Sequence, residues 1–329
     1  MAEYFHELYD IEVKLSDVER RIIDSSEMQS LKMCSQSGIG AFFSDITYDR
    51  FEHTMSVFAL TAYFHPGNKL LRSVALNHDL GHTLFSHSIE YATKGMFCHE
   101  KSLREKVEGL GRRGIFDRSG FTSDDINNAF EERKNPLNHK GEFVNIDNLA
   151  AFLNDSYYGG YISLDLSKII REAGYDNGRM TPKFSVQGAA AVQDAILQDH
   201  FVMFNIPKLY HEALFSRLLE LSDSSLLKQI IDKEITEKEV LDRLLDISSY
   251  DKHNSEEAAG LINKFNQKNP EKFRKIGVNE NANGSLKIIV PKIYPKRVLA
   301  GDSILDDIKK EYKNKLELLK DYIGTFIFS

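Results

Sequence analysis

The stretch Asn77-His78-Asp79-Leu80-Gly81-His82 puts an imidazole and a carboxylate on adjacent residues. Neighbours on a regular α-helix point about 100° apart. His78 and Asp79 can therefore share one ion only if the helix ends there and both side chains wrap its terminus. Gly81 supplies a helix stop. A neutral imidazole beside a hard carboxylate suits a borderline divalent ion such as Fe, Mn, Ni, Co or Zn. Two donors are too few. His53, in Arg50-Phe51-Glu52-His53, sits on the preceding segment, and Asp147, in Asn145-Ile146-Asp147-Asn148, is the candidate carboxylate from a later one. Six of the 11 histidines (His53, His65, His78, His82, His87 and His99) fall between residues 53 and 99, a clustering that suggests a metal or catalytic site. An ion held this way lowers the pKa of a bound water and acts as a Lewis acid. Arg50 can fork onto an anion, and His82, His87 and His99 can line a pocket as donors or general acids. His65, followed by Pro66-Gly67, reads as loop and not site.

The elements that must position these residues are mostly helices. Ser16-Asp17-Val18-Glu19 is a capping box opening an amphipathic stretch. Residues 53–64, 70–80, 85–91, 144–153, 185–203 and 209–221 have helical periodicity or the continuous apolarity of a buried helix. Residues 109–141 are charged and weakly patterned, and read as a surface excursion with one short helix over 123–133. From about residue 232 the chain becomes more charged. Residues 285–298 are rich in β-branched side chains and carry Pro291 and Pro295, which predicts one or two edge strands. Residues 304–322 return to helix. The expected architecture is mainly α: a helical core over residues 1–230 and a smaller mixed α+β C-terminal region over 231–329.

The ordered set His53, His78-Asp79 and Asp147 resembles the metal set of the HD-domain phosphohydrolases. More narrowly, the chain is similar to deoxynucleoside triphosphate triphosphohydrolases of the bacterial dGTPase type and their animal SAM-and-HD-domain relative. The resemblance rests on Arg50-Phe51-Glu52-His53, His78-Asp79-Leu80-Gly81-His82, Phe85-Ser86-His87, His99-Glu100, and Asp147 with Leu153-Asn154-Asp155-Ser156-Tyr157-Tyr158. It implies an HD-domain helical bundle and a divalent metal ion (Mn, Fe, Mg, Ni, Co or Zn) held by His53, His78, Asp79 and Asp147. It also implies that His82, His87 and His99 contact phosphates and protonate the leaving group, with Glu90 orienting the catalytic histidine. Asp155 would bond the sugar hydroxyl, and Gln36 would lie near the base.

The departures fall at the far end of the pocket. Asn148 stands where the family often has a phosphate-binding lysine, Ala151 where it has a tyrosine, and His200 near the place of an arginine. Lys183 and Lys208 read as solvated surface lysines. The leading function is hydrolysis of a (deoxy)nucleoside triphosphate to nucleoside and triphosphate by metal-activated water. The alternatives are a phosphatase acting on a nucleoside monophosphate or a related small phosphomonoester, and a non-catalytic nucleotide-sensing HD module. A cyclic-nucleotide or (p)ppGpp-type hydrolase fits the Arg-Phe-Glu-His and Asp-Ser-Tyr-Tyr contexts less well. The resemblance also implies a homo-oligomer.

Composition narrows the classes further. Lys+Arg total 42 against 49 Asp+Glu, a formal charge of -7, which gives no support to a broad nucleic-acid-binding face. Two cysteines, Cys34 and Cys98, cannot build a disulfide framework, and reduced thiols fit a cytoplasmic protein. No apolar run reaches the roughly 18 residues that span a bilayer, so a membrane is not an expected partner; a nucleotide or other phosphorylated small molecule is the partner that the resemblance implies.

Overall fold

The computed structural model describes residues 2–44, 46–93, 96–161, 165–203, 205–267 and 296–305, and the backbone of strands at 273–276, 286–290 and 324–328. The chain is mainly α-helical. A hairpin of β1 (Ala2–His6) and β2 (Ile11–Leu15) comes first, antiparallel with Tyr4 opposite Val13. Then come α1 (Asp17–Ile23), the short α2 (Ser26–Gln29) and two 3-10 turns at Ser30–Met33 and Gly38–Phe42. Next are α3 (Arg50–Phe64), α4 (Lys69–Asn77), α5 (His87–Ala92), α6 (His99–Arg112), α7 (Ser123–Glu132), α8 (Ile146–Tyr158) and α9 (Leu166–Arg171). After β3 (Gly174–Asp176) and β4 (Thr181–Phe184) follow α10 (Val186–Met203), α11 (Ile206–Leu221), α12 (Ser224–Asp232), α13 (Glu237–Leu244) and α14 (Ser255–Phe265). The last strands are β5 (Phe273–Ile276), β6 (Leu286–Val290), β7 (Leu299–Ala300), β8 (Ser303–Ile304) and β9 (Gly324–Phe328).

Two apolar clusters hold these elements. The first is built on α3, α4, α8 and α10. Phe58 and Leu60 of α3 and Leu149 and Leu153 of α8 are fully enclosed, each such side chain stabilising the fold by about 1.5–3 kcal/mol. Ala189, Ala191, Val192 and Ala195 give α10 a face of small side chains, which lets its backbone approach α8. The second cluster joins Leu84, Phe85 and Ile89 to Leu214, Phe215 and Leu218 of α11 and to Val240 of α13 and Leu261 of α14. The segment between α4 and α5 thus contributes to both clusters, Leu80 to the first and Leu84 and Phe85 to the second.

Several boundaries follow capping chemistry. Ser16 makes the expected capping box with Glu19. Asp49 makes a second one with Glu52, so α3 begins at Arg50 and not at His53. Asn205 caps α11, and Pro207 lies in its first turn, where the missing N–H costs nothing. The stretch read as a surface excursion contributes Phe116, Ile126 and Leu137 to the first cluster, with α7 against α4 and α6. Strand β2 alternates apolar and polar residues, Ile11-Glu12-Val13-Lys14-Leu15, with Ile11 and Val13 buried, a readable strand signal that the sequence reading passed over; β3 and β4, of three and four residues, are too short to show a period. Strand β6 lies at the edge of the three-stranded sheet β5-β9-β6, as the prolines beside it predict. Of the helix expected over 304–322, Ile304 lies instead in strand β8, and residues 306–322, like Pro291 and Pro295, lie outside the described residues.

Candidate active site

Helix α4 ends at Asn77, and His78 is its C-cap, still in αR conformation at φ -57 and ψ -30. The chain then turns tightly, with Leu80 N donating to Asn77 O and His82 N to Asp79 O. His78 and Asp79 therefore leave the helix end toward one point, as adjacent ligands must. Gly81 does not act as the left-handed helix stop that its position suggests; the helix ends at Asn77, four residues earlier, with His78 as its C-cap. A Cβ on Gly81 would lie 2.0 Å from His99 O and 2.6 Å from Leu103 N. The glycine is needed because the start of α6 passes directly over the turn.

His53 projects from the first turn of α3 and Asp147 from the first turn of α8. The register of α8 is set seven residues on. Asn154 donates to Ser56 Oγ at 2.8 Å and accepts from Tyr9 at 2.7 Å, a buried chain linking α8, α3 and the hairpin. Seven residues are about two turns, so Asp147 faces α3 as well. Its Oδ1 lies 3.0 Å from His53 Nε2 and 3.6 Å from His78 Nε2. Asp79 Oδ1 lies 3.5 Å from His78 Nε2, and Asp79 Oδ2 lies 3.9 Å from His53 Nε2. All four sequence candidates thus converge from α3, the end of α4 and α8.

These residues fit a divalent ion on their own geometry. His78 Nδ1 donates to Ala75 O at 2.8 Å, which leaves Nε2 as the free nitrogen. That nitrogen is buried, has no hydrogen-bond partner, and faces both carboxylates. A lone pair aimed at two anions is repelled unless a cation or a proton lies between them. Burial alone would lower the basicity of His78, yet Asp79 and Asp147 push its pKa up to about 9. Burial likewise opposes ionisation of Asp79 and Asp147, and is outweighed. His78 and Arg50 hold Asp79 well below the usual carboxylate range, and His53 and His78 do the same for Asp147. Two imidazoles and two ionised carboxylates form the donor set of a divalent-metal site.

Arg50 stands beside this set. Its Nη1 donates to Asp79 Oδ2 at 2.9 Å and its Nε to Ser86 Oγ at 2.9 Å. On the other side of Asp79 is a histidine trio. His82 stacks on His99 with ring centroids 4.3 Å apart, and His87 meets both edge-on at 4.8 and 5.2 Å. Glu90 of α5 receives His87 Nδ1 at 3.1 Å and His99 Nδ1 at 2.5 Å, which turns the Nε2 atoms of both away from it. Burial and the neighbouring Arg50 keep His82 well below the ordinary histidine pKa, and burial also lowers His87. The two hydrogen bonds from histidine hold Glu90 ionised against its burial. The side chain of His87 is 51% exposed, so the trio opens to solvent there.

The remaining candidates are more dispersed. Asp155 is buried on α8; Tyr48 donates to its Oδ1 at 2.5 Å, and burial together with Asp199 pushes its pKa well up. Gln36 precedes α3, and its carbonyl accepts from Arg50 Nη2 at 3.4 Å. Asn148 is on the first turn of α8, its N–H capped by Asn145. His200 is buried on α10, where Nδ1 donates to Ile196 O at 2.7 Å and burial lowers its pKa, so it is not a protonated stand-in for an arginine at neutral pH. Lys208, expected at the surface, is buried with its ammonium 3.0 Å from Met203 Sδ and within the field of Glu212, Asp155 and Asp199. Lys183 is paired with Asp302 at 3.1 Å. His65 caps the end of α3 against Tyr175. Ser86, Tyr48 and Asp199 escaped the sequence reading because single Ser, Tyr and Asp residues carry no spacing signal. Among the described residues no helix is long and apolar enough to cross a membrane.

The comparisons agree with this geometry. A family model for the HD domain matches residues 50–175. Over 240 residues, 69% of this chain, the sequence is 25% identical to an uncharacterized protein of Methanocaldococcus jannaschii, and the chain spans about half (49%) of that relative's length. A crystal structure of a phosphohydrolase from Bacteroides thetaiotaomicron VPI-5482 shares the fold at a TM-score of 0.65 and 13% identity, over 100% of this chain and 99% of that one. The match to the HD domain model spans His53, His78, Asp79 and Asp147, the four residues that converge in the site.

Proposed function

We propose that this chain is a metal-dependent phosphohydrolase whose substrate is a nucleotide, with His53, His78, Asp79 and Asp147 holding the ion. The observation that carries the reading is the unpartnered, buried His78 Nε2 facing Asp79 and Asp147. A divalent ion bound there lowers the pKa of a water and polarises a phosphoryl oxygen. Arg50 neutralises part of the phosphate charge while its bond to Asp79 keeps that carboxylate oriented. His82, His87 and His99 face the leaving-group side, and a proton delivered from that trio to the departing oxygen is held in register by Glu90. Asp155, with Tyr48, recognises a sugar hydroxyl, and Gln36 lies toward the base. In solution the chain acts as a homo-oligomer, and residues 1–230 form the HD-type core to which 231–329 are auxiliary.

The leading substrate is a (deoxy)nucleoside triphosphate, cleaved to nucleoside and triphosphate. A second reading, a mono- or diphosphate, is favoured by one feature. Asn148, Ala151 and a buried, deprotonated His200 occupy the region where similar enzymes offer cations to outer phosphates. Loss of two such charge-assisted bonds removes about 2–4 kcal/mol, or about 30- to 1000-fold in affinity. Steady-state rates for one nucleoside bearing one, two and three phosphates, measured with Mn²⁺, decide between the two. Comparable rates, or faster turnover of the shorter esters, support the second reading; a strong preference for triphosphate with triphosphate as product supports the first.

A further inference from the structure

Glu237 is the first residue of α13, well outside the HD domain at residues 50–175. Its side chain reaches back into the site. One carboxylate oxygen, Oε1, accepts the backbone N–H of Ser35 at 3.0 Å and that of Phe85 at 2.5 Å. Those amides belong to two loops that meet around Arg50. Phe85 and Ser86 both carry positive φ, 60° and 47°, a conformation that side chains with a Cβ resist and that persists only where surrounding contacts impose it. Ser86 opens α5 with no side-chain cap bond to that helix. Instead its Oγ accepts from Arg50 Nε at 2.9 Å and donates to Ser35 O.

The bonds close a ring. Glu237 fixes Ser35 and Phe85, Ser35 and Phe85 fix Ser86, and Ser86 fixes the Nε edge of Arg50, whose Nη1 lies on Asp79. A second tie from the same region, Thr83 Oγ1 donating to Ile230 O, anchors the loop just upstream. Arg50 has several rotatable bonds and long reach. Its Nε is held by Ser86, its Nη1 by Asp79 and its Nη2, at a longer 3.4 Å, by the Gln36 carbonyl, and the Ser86 contact depends on the loops that Glu237 ties together.

We infer that Glu237 is a positioning residue, which sets the Arg50 guanidinium for a phosphate through the left-handed Phe85–Ser86 turn. This rests on the reading that Arg50 contacts a phosphate of the substrate. A carboxylate that merely stabilised the packing of α13 would not be coupled to Arg50.

The test is a calorimetric titration of inorganic phosphate into the Mn²⁺-loaded full chain, with metal content checked for every variant. Glu237→Ala weakens phosphate binding about tenfold, and Arg50→Ala weakens it by at least as much. The double variant binds no more weakly than Arg50→Ala alone, because both changes remove one constraint. Glu237→Gln keeps an acceptor oxygen for both amides and stays within about threefold of the parent protein. Should Glu237→Ala not fold, Ser86→Ala interrupts the same ring and gives the same non-additivity with Arg50→Ala. Additive effects, an unchanged phosphate affinity in Glu237→Ala or Ser86→Ala, or a parent protein that does not bind phosphate each overturn the proposal. Nucleotide hydrolysis, assayed separately, judges the function: positioning can stand while no nucleotide is hydrolysed, and hydrolysis can stand while positioning fails.

Discussion

Glu90 Oε1 accepts both the backbone N–H of His99, at 2.8 Å, and its ring Nδ1–H, at 2.5 Å. The carboxylate thereby fixes the start of α6 and the tautomer of the ring with one oxygen, while Oε2 holds His87. The Nε2 atoms of both rings are thereby turned away from Glu90, beside His82, whose own Nε2 lies 3.5 Å from Asp79 Oδ1. Glu90→Gln replaces an acceptor oxygen with an amide donor and lets one ring turn. Turnover should fall about 10- to 100-fold, in the range typical of carboxylates that orient a functional histidine, with metal content unchanged. Loss of metal together with activity would show that Glu90 supports the ion and not the histidines.

The turn that aims His78 and Asp79 depends on the bare backbone of Gly81. Its φ is not in the left-handed region, so the constraint is space alone. A methyl group there meets the backbone of His99 and Leu103, which cannot rotate away as a side chain could. Gly81→Ala should destabilise the fold by about 1–3 kcal/mol or more, seen as a lowered midpoint in urea unfolding, and should displace His99 from His82. An Ala variant as stable as the parent would mean that α6 can shift freely.

Glu212 is buried on α11, receives Ser88 Oγ at 3.0 Å, and is faced by Lys208 and Tyr91. Burial pushes its pKa up to about 7 from an ordinary value of 4.5, against the opposing pull of Lys208 and Ser88. The folded state therefore holds a proton that the unfolded state has released between these two values, and stability falls as pH rises through that window. A carboxyl raised from 4.5 to about 7 corresponds to about 3 kcal/mol. Glu212→Gln should match the parent near pH 4.5 and exceed it in stability by up to that amount above pH 7, measured by urea unfolding at both ends. A difference that does not change with pH would remove Glu212 from the account.

The residues of the candidate site were legible in the sequence because their types are rare and their order is informative. His53, His78-Asp79 and Asp147 are brought together, and the capping signature at Ser16 located α1 within a residue. The Asp49–Glu52 capping box was equally readable, and would have placed Arg50 at the first position of α3. Other features were not readable for physical reasons. Lys208 is surrounded by carboxyls that come from α8, α10 and its own helix, so its burial depends on packing. Gly81 looks like a helix stop because glycine is common there, whereas its neighbour in space lies some 20 residues away. Ser86 and Glu237 meet around Arg50 through the tertiary fold alone, with no periodicity or spacing linking residues 35, 86 and 237.

The most direct measurement is made on one pair of proteins, the parent and Asp79→Ala, each assayed for bound divalent metal and for products released from a panel of nucleotides with Mn²⁺, read by mass. Asp79 meets both histidines and Arg50, so its removal should abolish metal binding and hydrolysis together while the helical circular dichroism is retained. The account predicts bound metal and a phosphate, pyrophosphate or triphosphate product from the parent, and neither from the variant. A metal-free Asp79→Ala protein that still hydrolyses nucleotides at the parent rate would contradict it.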